Sequence, residues 1–67
     1  MSNWVILDSG AMEYRTKRFR GIIQSIGLKG KLQTLIYFQG RTQARMWEPE
    51  VSVQSIIDYV ENFKGFD

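Results

Sequence analysis

The chain has 67 residues, no cysteine, no histidine and a net charge of +2. Disulfides and thiolate metal sites are therefore excluded, and the commonest transition-metal ligand is missing as well. A chain of this length buries only about 60% of the surface that its unfolded form exposes, so self-association is one route to added stability.

Taken in chain order, residues 3–8 form the first predicted strand. Trp4-Val5-Ile6-Leu7 is β-branched and aromatic, and Asp8-Ser9-Gly10 closes it with turn residues. Residues 13–26 form a long run rich in Tyr, Thr, Phe and Ile. Gly21 inside that run predicts a bulge or bend that divides it. Read as one strand, the run sets Tyr14 and Phe19 on opposite faces. Gly27-Leu28-Lys29-Gly30 is the next predicted turn. Residues 31–39 form a strand that is apolar on both sides, so its predicted place is central. Residues 42–48 return antiparallel to it, and Pro49, which lacks a ladder donor, ends them.

The hairpin around Gly40 has two geometries compatible with the sequence. A three-residue loop, Gln39 to Arg41, sets Phe38, Ile36 and Thr34 beside Thr42, Ala44 and Met46. A two-residue loop, Gly40-Arg41, sets Phe38 and Ile36 beside Gln43, Arg45 and Trp47. In either case the face that holds Arg45 and Trp47 also holds an aromatic of the preceding strand, Tyr37 in the first and Phe38 in the second.

After Pro49 the period changes. Val53, Ile56, Ile57, Val60 and Phe63 recur at helical spacing, with polar residues between them. An amphipathic helix over 53–64 follows, with Ser52 as N-cap, Lys64 near the C-terminal end and Gly65 just past it. The predicted fold is a single α+β domain, rich in β structure. It is a four- to five-stranded antiparallel meander, or an SH3-like partly open barrel, covered by a C-terminal amphipathic helix. The run from Phe19 to Trp47 resembles small SH3-like and Sm-like barrels in strand length and turn spacing. The strand order with its closing helix is similar to a small single-stranded-DNA-binding coactivator fold. These resemblances imply fold alone.

Charge is unevenly placed. Residues 1–45 carry +6 and residues 46–67 carry −4, a split that points to a charged partner. Tyr14-Arg15-Thr16-Lys17-Arg18-Phe19-Arg20 concentrates four of the cations. Lys17, Arg18, Arg20 and Arg41 are candidates for phosphate contacts, which release counterions. Arg45, Trp47 and Tyr37 (or Phe38) are candidates for recognition, because rings stack on unpaired bases. Strand cations also discourage edge pairing, and Arg and Trp also form protein hot spots. The first expected partner is thus single-stranded DNA or RNA. The alternative is a larger protein on which this chain docks as an adaptor or inhibitor, and self-pairing through a sheet edge is a further route. No spacing of carboxylates, lysines or hydroxyls forms a catalytic constellation, so no enzyme, cofactor or metal is expected. No signal-peptide pattern and no apolar run of about 20 residues is present, which predicts a soluble, cytoplasmic protein.

Overall fold

The structure, a computed structural model, describes residues 3–27 and 30–66. Five strands are followed by one helix: β1 (Trp4–Ile6), β2 (Met12–Arg15), β3 (Phe19–Ile26), β4 (Lys31–Phe38), β5 (Arg41–Trp47) and α1 (Val53–Glu61). Each strand pairs antiparallel with the next in the chain, giving the sheet order β1-β2-β3-β4-β5. β1 and β5 remain unpaired with each other, so the meander stays open and does not close as a barrel. None of the described helices is long and apolar enough to cross a membrane.

The run at 13–26 is two strands, and it breaks at residues 16–18 rather than bending at Gly21. Thr16 is the cause. Its hydroxyl oxygen accepts the backbone N–H groups of Arg18 and Phe19, both at 3.1 Å, while its own N–H donates to Phe19 O at 2.9 Å. A threonine that bonds its own backbone competes with the ladder. This reversal sets Tyr14 and Phe19 on one face, with ring centroids 5.8 Å apart, which corrects the expectation of opposite faces. Gly21 runs straight through β3, opposite Tyr14 and Ile36.

At the β4–β5 hairpin the loop is Gln39-Gly40, so neither sequence-based alternative has the right register. Phe38 pairs with Arg41, and Gln39 and Gly40 take φ of 50° and 76°. Two consecutive left-handed residues match the type I′ turn, whose twist suits antiparallel strands. The resulting faces follow the two-residue alternative: Phe38 and Ile36 lie with Arg41, Gln43, Arg45 and Trp47. The turn predicted at 27–30 includes Leu28 and Lys29, which lie outside the described residues.

Helix α1 covers one face of the sheet. Ser52 caps it by accepting the Ser55 N–H at 3.2 Å. It stops at Glu61, three residues short of the predicted 64: Asn62 leaves helical geometry at φ −99° and ψ 11°, its side-chain amide donates to the Asp58 carbonyl at 2.7 Å, and the next N–H, of Phe63, turns to Val60 O at 3.2 Å. Lys64 and Gly65 therefore belong to a tail rather than to the helix. Ile56 and Val60 join Phe19, Ile23, Ile36 and Trp47 in the buried core. Phe63 and Phe66 of the tail fold back on Phe38, with centroids at 5.5 and 5.8 Å.

Candidate functional site

The alternation along each strand sorts the candidate residues. On the helix side, β5 presents Arg41, Gln43, Arg45 and Trp47. On the open side, β3 and β4 present Arg20 and Tyr37, which pair across the strands. Lys17 and Arg18 sit in the exposed turn between β2 and β3. A single surface joining Arg45, Trp47 and Tyr37 therefore does not exist, because the sheet lies between them.

On the open side, Glu13 is a buried carboxylate that holds two arginines. Arg15 Nη2 lies 3.3 Å from one of its oxygens and Arg20 Nε lies 3.0 Å from the other. The second contact is an ion pair without a well-directed hydrogen bond, since the buried Nε has no acceptor in line. Arg20 also covers the Tyr37 ring, its Cζ 4.8 Å from the centroid. The cations of this face are thus largely compensated, and its described aromatic already carries a guanidinium.

The helix side is different. Arg45 lies with its Cζ 4.0 Å from the Trp47 ring and 5.0 Å from the Tyr59 ring. Arg41 lies 5.5 Å from Phe66, and Arg18 lies 5.7 Å from Phe38 while donating to Lys64 O at 3.0 Å. These three guanidinium groups are held by rings. Both ion pairs among the described residues go instead to Glu13. Trp47 itself is a core residue at 9% exposure, and its indole N–H donates to Thr34 Oγ1 at 3.2 Å. It serves as the platform under Arg45, so it is not free to stack on a base. The β4–β5 register, which sets Trp47 opposite Leu32 beneath the helix, is the reason.

Between β5 and the end of α1 with its tail runs an open groove of about 680 Å³. Arg41, Gln43, Tyr59, Asn62, Lys64 and Phe66 line it, and no described lining residue is a carboxylate. Tyr59 donates its hydroxyl proton to Gln43 Oε1 at 2.9 Å, which bridges the groove at one end. Glu61 points away toward β1, where it accepts the Trp4 indole N–H at 2.8 Å. Among the described residues, no three acidic side chains converge as a metal site would require.

No protein family, no curated protein and no solved structure matches this chain.

Sequence reasoning missed Tyr59, Lys64 and Phe66 as groove residues. Helix phase was the available signal for Tyr59, which falls on the flank of the apolar stripe. Lys64 and Phe66 became legible only once Asn62 had ended the helix.

Proposed function

We propose that this chain is a non-enzymatic binding protein that takes single-stranded nucleic acid along the groove between β5 and the 63–66 tail. The observation that carries this reading is the contrast between the two sets of arginines. Arg15 and Arg20 share Glu13, whereas Arg18, Arg41 and Arg45 rest on rings beside a groove whose described walls hold no carboxylate. A guanidinium already ordered on a ring loses less freedom when it meets a phosphate. Lys64 joins Arg41 on the groove wall, with Arg18 and Arg45 beside it, which makes four cations in all. Phe66 and Tyr59 are half-buried and already carry Arg41 and Arg45, so an unpaired base would stack on the outer face of these guanidinium–ring pairs. Lys17 lies near this end of the sheet as a peripheral charge, while Arg20, Tyr37 and Trp47 fall outside the contact surface.

Fluorescence anisotropy with labelled single-stranded DNA and RNA of about twelve nucleotides tests the reading. Four phosphate contacts give a log–log salt slope of about −3. R41A and R45A are expected to weaken binding severalfold and to flatten the slope, whereas R15A leaves both unchanged. Absence of binding at low salt, or equal losses in all three variants, overturns it. In that case, capture of a partner that survives nuclease treatment of the lysate would point to protein docking.

A further inference from the structure

Strand β5 is an edge without protection. It has seven residues, none of them proline or glycine, and it pairs with β4 without a bulge. Edge strands are usually kept short, bulged or charged toward the open side. The other edge, β1, is only three residues long. The two arginines of β5 are drawn onto rings on the helix side, away from the strand's outer rim.

We infer that β5 pairs with β5 of a second copy of this chain, antiparallel and about a two-fold axis at Ala44. Two independent conditions meet there. Phe38 and Arg41 close the two-residue turn as a hydrogen-bonded pair, so the outward-facing backbone groups of β5 belong to every second residue from Thr42: Thr42, Ala44 and Met46. Ala44 is also the midpoint of Arg41–Trp47, so the symmetric register that uses its free groups is the one that pairs the whole strand. Had the alternation run the other way, the midpoint would have had nothing to donate.

Charge and shape suit that register. On the helix side Arg41 meets Trp47 of the partner subunit, and Arg45 meets Gln43 of the partner subunit, so no cation faces a cation directly. On the open side Ala44 meets its own copy, and Thr42 meets Met46 of the partner subunit. The row Ile22–Leu35–Ala44 then continues across the axis into its symmetry mate. Both helices lie on one side of a ten-stranded sheet, and the two grooves border the same seam. An isologous C2 contact of this kind is self-complementary. The inference does not rest on the nucleic-acid reading.

Cross-linking tests it directly, because the chain has no native cysteine. A hydrogen-bonded antiparallel pair holds its α-carbons about 5.5 Å apart, within disulfide range. Under mild oxidation A44C is expected to form a covalent dimer at least roughly tenfold faster than T42C, whose two copies would stand about 13 Å apart along the strands. Sedimentation of the wild-type chain over a wide concentration range is expected to show a monomer–dimer equilibrium. It strengthens as salt screens the four seam arginines, the opposite trend to nucleic-acid binding. A44K, which sets like charges across the axis, is expected to abolish the dimer while the circular dichroism spectrum is retained. A strict monomer, equal cross-linking of A44C and T42C, or an A44K dimer as tight as wild type each overturns the arrangement.

Discussion

The γ1 methyl of Val60 occupies the space that a side chain on Gly21 would fill. A β-carbon built on Gly21 would stand 2.6 Å from it. Val60 is fully buried and, being β-branched on a helix, has little freedom to turn aside. G21A is therefore expected to cost about 1–3 kcal/mol through overpacking. V60A in the same chain is expected to recover part of that loss, so the double variant will be more stable than the sum of the single changes allows. Urea denaturation of the four proteins in the cycle checks this, and additive losses would show that the contact is not the cause.

Thr34 is buried at 1% exposure and accepts the indole N–H of Trp47. T34V keeps the volume but removes the acceptor, which leaves a buried donor unpaired. The expected cost is about 1–3 kcal/mol. Adding W47F removes the donor too, so the second change is expected to cost less in the T34V chain than in wild type. Thermal melts of the single and double variants measure it, and a T34V chain as stable as wild type refutes it.

Glu13 is the carboxylate that compensates Arg15 and Arg20. E13Q leaves both guanidinium groups beside a neutral amide. Arg15 and Arg20 are 67% and 43% exposed, so water screens much of the loss, and the expected cost is about 0.5–1 kcal/mol. R20M in the E13Q chain is expected to restore some of it. A denaturant midpoint unchanged by E13Q would show that the ion pairs contribute nothing.

The fold was legible in this sequence wherever one period dominated. The short run at 31–39, apolar on both sides, and the helical spacing from Val53 to Val60 each correspond to the element that formed. What remained hidden was decided by side chains that bond backbone. Thr16 made a hairpin out of residues whose strand propensity runs on unbroken, and Asn62 ended a helix whose apolar spacing continues to Phe63. The candidate site was legible in composition but not in assembly. Arg41 and Arg45 share the helix side as strand parity requires, and of the two aromatics the sequence offers for that surface Phe38 lies there, while Tyr37 and Arg20 fall on the other side. Only the Phe38–Arg41 register separates them. Trp47 illustrates the same limit, since an indole on a charged strand looks the same in sequence whether it faces water or a helix.

The order of the strands has a consequence for synthesis. Every strand pairs with the one made just before it, so the sheet can assemble while the chain grows. Its cover comes last. Ile23, Ile36 and Trp47 must wait uncovered until Ile56 and Val60 emerge. Without the helix the protein would be a bare sheet with two wet faces, and the helix acts as the final stitch that turns a sticky surface into an interior.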